Sequence, residues 1–277
     1  MSIRLNGIDV ALYQGDIDWK QVYGAGVYFA MIKCSQGCSI KESVGNFKPF
    51  VDPKFEQNIT NAFAAGIKCG VYHYPTCTTA DQAAAEADYL LSVLEPHREK
   101  ITFPVAIDIE EARYQKTALK TQNTRFVRIV ADKIRAAGYI PVLYSNRYFL
   151  NMYLDLKSLS DLDIWLAVYF SPRRIDPAPS FQNMTMWQWT ASGVRIPGIN
   201  ADVDCNIAFK DYAAPLKNDL NRDVVIDSVD ALIHKRYLLG NLVFAEQQKK
   251  PADLYDDGDV DSMDYLLFRR KIVAAAK

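Results

Sequence analysis

The chain has 277 residues, 49% of them hydrophobic and 12% aromatic, which provides for one large core and a smaller one and excludes a disordered or fibrous polypeptide. Thirty-two basic against thirty-three acidic side chains leave a net charge of −1, so bulk charge recruits neither nucleic acid nor an anionic membrane surface. No apolar run approaches the ~20 residues of a membrane span, and the opening MSIRLNGIDV lacks the layout of a signal peptide, so the chain is expected to be soluble as written.

In chain order, short apolar runs recur: GIDVALY, YFAMIKC, CGVYHY, FPVAIDI, IPVLYS, DIWLAVY, MTMWQW and ADVDCNI. Helical periodicity separates several of them, over Pro53 to Ala65 before Gly66, Thr79 to Leu94 before Pro96, and about Thr117 to Ala137 before Gly138. Runs alternating with helices predict a parallel sheet covered by helices, and eight runs suggest a closed barrel. Connections after the fifth run are shorter and less helical, so the second half is expected to depart from a regular eightfold barrel. Five cysteines (Cys34, Cys38, Cys69, Cys77, Cys205) lack the paired C-x-x-C spacing of a zinc site. They are expected to be mainly buried or free thiols, with a disulfide among the first four as the lesser alternative.

The fourth run carries chemistry. In FPVAIDIEE, Asp108 and Glu110 are two residues apart on an otherwise apolar strand. Side chains at i and i+2 share a face, roughly 6.5–7 Å apart. Two like charges held so close in a buried strand titrate apart, the arrangement acid–base chemistry uses; the plain alternative is a strand end where acids reach water. Other runs also end in polar groups: Lys33, Tyr74, and Tyr144 with Ser145. In parallel barrels that end holds the active site. Tyr13, Tyr72, Tyr144, Trp165, Tyr169, Trp187 and Trp189 are either core or a stacking platform for sugar rings. Lys33, Tyr74 and Gln188 join Tyr13, Tyr72, Tyr144, Trp165 and Tyr169 as candidate substrate-binding residues.

A different composition begins after AAPLKND. The segment DLNRDVVIDSVDALIHKRYLLG from Asp219 recurs 34 residues later as DLYDDGDVDSMDYLLFRRKIV from Asp253. Each unit places acids at loop positions 1, 5, 9 and 12, the spacing of an oxygen-ligand calcium loop followed by a helix. Candidate ligands are Asp219, Asn221, Asp223, Asp227 and Asp230 in the first unit, and Asp253, Asp257, Asp261 and Asp264 in the second. Val224 stands where the first loop's sharp turn prefers glycine, and Tyr255 where the second prefers a ligand.

Taken together, GIDVALYQGDIDWKQV, GVYFAMIKCSQG, GVYHYP, FPVAIDIE, PVLYSN, IWLAVY, MWQW and ADVDCNIAF resemble, in order, the glycoside hydrolase family 25 lysozymes, and the duplicated loop–helix units resemble a dockerin. The resemblance implies an α/β, irregular TIM-like β/α barrel over residues 1–213 and a small all-α calcium-binding dockerin over 214–277. It implies hydrolysis of the β-1,4 bond between N-acetylmuramic acid and N-acetylglucosamine in peptidoglycan, with Glu110 as general acid surrounded by Asp9, Asp108 and Asp204, and Asp204 preferred over Asp202 because Asn206 follows it by two. No cofactor is expected for catalysis, and Ca2+ is expected to be structural in the dockerin. The dockerin implies a cohesin partner, met near Ser228, Val229, Ser262 and Met263 with Lys235, Arg236, Arg269 and Arg270 nearby, and an extracellular setting for a monomeric catalytic unit. Ser35–Gln36–Gly37 replaces the family's commoner Thr-Glu-Gly. A chitinase-like hydrolase is the alternative that Ala106 disfavours, since such chains carry a further acid there, and a catalytically dead glycan-binding module is disfavoured by the retention of all four acids.

Overall fold

The computed structural model describes residues 3–37, 49–110, 118–191, 194–214, 217–220, 226–244 and 246–275. The chain divides into two compact units, Met1–Ala136 with Ile140–Tyr212, and Ala213–Lys277 with the short turn Ala137–Tyr139.

The first unit is a barrel. Its strands are β1 (Leu5–Val10), β2 (Phe29–Gln36), β3 (Phe50–Val51), β4 (Lys68–Tyr74), β5 (Ile101–Asp108), β6 (Pro141–Asn146), β7 (Asp163–Ala167), β8 (Met184–Thr190) and β9 (Asp204–Ala208). The sheet order is β1-β9-β8-β7-β6-β5-β4-β2-β3, and β1 also pairs with β2, so every strand but the short β3 belongs to a closed eight-stranded ring. All eight expected runs form its strands. Narrowness at two points demands glycine: a Cβ on Gly7 would lie 2.3 Å from the Phe29 ring, and one on Gly70 would lie 2.4 Å from Met31 Sδ and 2.8 Å from the Pro104 carbonyl. Phe29 stacks on Phe103 at 4.7 Å, and Tyr212 meets Phe103 edge-on at 5.2 Å.

Helices α1 (Trp19–Gly24), α2 (Phe55–Ala64), α3 (Ala80–Leu94) and α4 (Lys120–Ala136) belong to the first half. Asp18 and Thr79 cap α1 and α3 by accepting first-turn N–H groups. Gly66 and Gly138, at φ 92° and 81°, end α2 and α4 in the left-handed conformation. After β6 the described residues of the barrel unit form one further α-helix, the short α5 (Arg147–Tyr153). Beyond β7 a loop covers the outer wall instead: the Trp187 indole donates to the Val168 carbonyl at 2.8 Å, Phe170 packs on Trp187, and the Arg174 guanidinium lies 4.4 Å above the Phe170 ring.

The missing crossover helix has a topological result. A parallel return needs a long connection, usually helical. Without one, β9 comes back antiparallel to both β8 and β1. Its first residue therefore lies at the end of the barrel where the parallel strands finish.

The second unit contains α6 (Ser228–Leu238), α7 (Glu246–Ala252) and α8 (Ser262–Ala275). Leu220, Phe244 and Ala252 form its buried cluster, and Tyr237 stacks on Phe244 at 4.0 Å. The 34-residue repeat survives in hydrogen bonds: Asp230 accepts from the Leu220 and Asp227 amides at 2.7 and 3.0 Å, and Asp264 from Leu254 and Asp261 at 2.7 and 2.9 Å. Among the described residues no helix is long and apolar enough to cross a membrane. Cys34, Cys69, Cys77 and Cys205 are buried and outside any disulfide, so the disulfide alternative does not hold for Cys34, Cys69 and Cys77; Cys38 lies outside the described residues.

Candidate active site

Four acids come to the carboxyl-end mouth of the barrel from three strands. Asp9 is the penultimate residue of β1 and Asp108 the last of β5, with Glu110 two residues further on. Asp204 opens β9 and pairs in register with Asp9. The chain beyond β5 stays aligned on β6, since the Ile109 amide donates to the Tyr144 carbonyl at 3.1 Å and the Ser145 hydroxyl donates to the Ile109 carbonyl at 2.7 Å. That alignment holds the backbone from which Glu110 projects. Asp202 is exposed and paired with Arg195 at 3.3 Å, so of the two neighbouring aspartates it is Asp204 that faces the others.

Burial decides the protonation of these acids. Asp108 is buried, and its Oδ1 makes no hydrogen bond among the described residues. Burial first, and then the Glu110 charge, raise its pKa well above the carboxylate range against the opposing pull of Lys33. Asp9 is pushed up to about 8 by burial and by the Asp204 charge, while N–H groups of Asn206 and Gln188 pull it back. Asp204, less deeply set, is raised to about 6 by burial. Carboxyls that hold protons near neutrality are the equipment of general acid–base catalysis.

The remaining expected site residues separate into mouth and wall. Tyr13 is 75% exposed on a 3-10 turn after β1, held by the Leu12 amide donating to Asp52 Oδ2 at 3.0 Å. Tyr169 is also exposed, and Tyr72 and Tyr74 are half-buried. Lys33 donates to Gln36 Oε1 at 3.1 Å and lies 5.2 Å over the Tyr74 ring. Three residues expected to bind substrate are instead in the wall. Trp165 is 1% exposed, with its ring 4.4 Å from that of Tyr144 and its indole donating to Asn206 Oδ1 at 2.8 Å, so no sugar reaches its face. Tyr144 is buried with its hydroxyl on Gln188 Oε1 at 2.8 Å. Gln188 is 2% exposed, and all its polar capacity is taken by protein. Trp187 is core as well.

Sequence reasoning used Asn206 only as a landmark and passed over Asp52. The available signal for Asn206 was a polar amide inside the apolar run DCNIA; Asp52 in VDPKF carried none. A hydroxyl–imidazole–carboxylate line, Ser35 Oγ to His73 Nδ1 at 2.8 Å and His73 Nε2 to Glu86 Oε2 at 3.9 Å, is sealed from solvent on the outer side of β4 and serves the wall, not a nucleophile.

In the second unit the second loop has the right donor chemistry for a hard cation. It has carboxylates at positions 1, 5, 9 and 12, and Gly258 at φ 93° makes the sharp turn. Those carboxylates here accept backbone N–H groups, as when Asp253 takes Asp257 and Gly258 at 3.2 and 2.9 Å, and Tyr255 leaves position 3 without a carboxylate. Among the described residues no three potential ligands converge. Asn221, Asp223 and Val224 lie outside the described residues.

A closed β/α barrel with protonatable carboxylates gathered at the carboxyl ends of its strands has the equipment of an enzyme working by general acid–base catalysis. Residues 8–199 match Glycosyl hydrolases family 25 and residues 217–273 match the Dockerin type I domain. Lysozyme M1 of Streptomyces globisporus is 30% identical over 210 residues, which span 73% of this chain and 67% of that protein. An N,O-diacetylmuramidase of Arthroderma benhamiae is 30% identical over 147 residues, 51% of this chain and 57% of that one. The solved structure of a bacterial lysozyme from Streptomyces coelicolor superposes with a TM-score of 0.57 at 26% identity, covering 73% of this chain and 90% of that one. This chain belongs to glycosyl hydrolase family 25, is a glycoside hydrolase, and carries a C-terminal dockerin domain.

Proposed function

We propose that the protein is an N-acetylmuramidase that hydrolyses the β-1,4 bond between N-acetylmuramic acid and N-acetylglucosamine of peptidoglycan. The observation that carries this reading is the convergence of Asp9, Asp108, Glu110 and Asp204 on one barrel mouth, in a chain similar to lysozymes. Glu110, the least buried end of the β5 pair, protonates the glycosidic oxygen. Asp108, buried with an unpartnered oxygen and a raised proton affinity, is placed beside it to exchange a proton or orient the substrate's acetamido group. Asp9 and Asp204 form the opposite wall of the site. Tyr13, Tyr72, Tyr74, Tyr169 and Lys33 are the mouth residues available to sugar rings.

The catalytic part occupies 1–213 and the dockerin 214–277, a division supported by the two compact units. Calcium would be held by Asp219, Asn221, Asp223, Asp227 and Asp230 in the first loop and Asp253, Asp257, Asp261 and Asp264 in the second, and would close each loop onto its helix. The dockerin attaches the enzyme to a cohesin-bearing scaffold outside the cell. Support comes from duplicated exposed positions: Val229, Leu232, Arg236 and Leu239 on and just beyond α6 recur as Met263, Leu266, Arg270 and Val273 on α8.

The test is muropeptide release from purified peptidoglycan, with new reducing ends identified by mass spectrometry, for the full chain and for Glu110→Gln. New N-acetylmuramic acid ends, lost by ~10²-fold or more in the variant, support the reading. Binding of the wall without release would replace it with a glycan-binding role.

A further inference from the structure

Gln188 has no hydrogen-bonding capacity left for a substrate. Its Oε1 accepts from the Tyr144 and Tyr169 hydroxyls at 2.8 and 2.5 Å, and its Nε2 donates to Asp9 Oδ2 at 2.9 Å and more loosely to Asp204 Oδ2 at 3.4 Å. The neighbouring amide has only one orientation. An indole N–H donates and never accepts, so Asn206 turns Oδ1 to Trp165 and must present Nδ2 to Asp9 Oδ2, at 2.8 Å. Two N–H donors fill both acceptor sites of Asp9 Oδ2, and Oδ1 is left as the oxygen of Asp9 that can carry a proton. Asp204 stands opposite in register and draws on the same Gln188 nitrogen. Two carboxyls set opposite each other in register, one buried and one half-buried, resist ionising together near neutrality.

We propose that Gln188 and Asn206 are positioning residues that set the proton inventory of the Asp9–Asp204 pair. They hold Asp9 Oδ2 as an acceptor, restrict the pair's retained proton to Asp9 Oδ1 and Asp204, and keep the pair at a single negative charge near neutrality. Neither amide touches the substrate. Both act through the two acids, and the proposal deepens the muramidase reading of the same site.

The other groups around the pair do not supply this function. From β5, Asp108 itself has its pKa raised by burial, by the Glu110 charge and by the Asp9 charge, so it supplies no group that favours ionised Asp9. From β4, β6 and the loop after β7 come the phenols of Tyr72, Tyr144 and Tyr169, each pushed up by burial and so neutral. Cys205 on β9 is pushed up to about 12 by burial, against the pull of Arg173. The cations near the mouth are directed elsewhere, Lys33 to Gln36 and Arg195 to Asp202. The two amides are therefore the groups that stabilise the ionised form of Asp9.

An N–H donor to a carboxylate favours its ionised form, so removing it moves the ionisation to higher pH. The experiment uses the full chain with 13C-labelled aspartate carboxyls, titrated by NMR without substrate, alongside kcat/KM against pH on purified peptidoglycan, for wild type and Gln188→Met. The expected result is two coupled carboxyl titrations in the wild type, both raised by ~0.5–1 pH unit in the variant, with both limbs of the rate profile following and kcat falling while KM holds. Reduced activity with unshifted titrations, or wild-type Asp9 and Asp204 titrating independently near 4, would overturn the proposal. If Gln188→Met does not fold, Tyr169→Phe removes an exposed residue's hydroxyl from the Gln188 amide and is expected to shift the same titrations upward by a smaller amount; no shift there also overturns it. Coupled titrations in a wild type that cleaves no glycan would sink the muramidase reading and leave the proton-sharing pair standing.

Discussion

Replacing Asp9 with asparagine should stabilise the barrel at alkaline pH while impairing the enzyme. In the unfolded chain this carboxyl ionises at the ordinary value of 3.8, and in the folded protein at about 8. Between those values the folded state keeps a proton that the unfolded state has released. Stability contributed by the protonated group is thus full below pH ~4 and is lost as pH rises through 8. At ~1.4 kcal/mol per pH unit the penalty has a ceiling of ~5–6 kcal/mol. Relaxation of the neighbouring Asp204 and partial solvation bring the expected value to about 2–3 kcal/mol. Asparagine escapes the penalty, because its Oδ1 still accepts from Gln188 and Asn206 while its Nδ2 faces Asp204. All four tryptophans (Trp19, Trp165, Trp187, Trp189) lie in the barrel unit, so urea unfolding of the full chain followed by tryptophan fluorescence reports that unit alone. The variant should match the wild type near pH 4 and exceed it increasingly toward pH 8. A stability difference that stays constant from pH 5 to pH 8 would refute the claim that Asp9 carries a proton in the native state.

Trp165→Phe removes the indole donor to Asn206 Oδ1, leaving a buried carbonyl oxygen without that partner at a cost of about 1–3 kcal/mol, readable in the same unfolding assay. A cost below ~0.5 kcal/mol would mean that Asn206 finds another partner. Chelating calcium from the full chain should reduce helical circular dichroism from α6 and α8 while the tryptophan transition is unmoved, since the ion would link only the dockerin loops to their helices. Unchanged dichroism would remove calcium from the folding of this unit.

Much of this protein is readable along the chain because the determining contacts are local. Alternating apolar runs closed by Gly66 and Gly138 set the eight strands and the first-half helices, since strand alternation and helix stops depend on neighbours a few residues away. The i, i+2 spacing of Asp108 and Glu110 marks the end of β5 as a place where two acids meet, and the duplicated acids mark the second unit. The chain alone left undecided which side of a strand faces inward and which way a strand returns. Trp165 and Trp187 each lie within an apolar run, and whether either one meets substrate or core depended on closure of the ring. Gln188 looked like a substrate ligand until closure brought Tyr144, Tyr169, Asp9 and Asp204 around it. The antiparallel return of β9 is what sets Asp204 opposite Asp9, nearly two hundred residues away in sequence, and the proton affinity of that pair arises from burial that only the closed barrel produces.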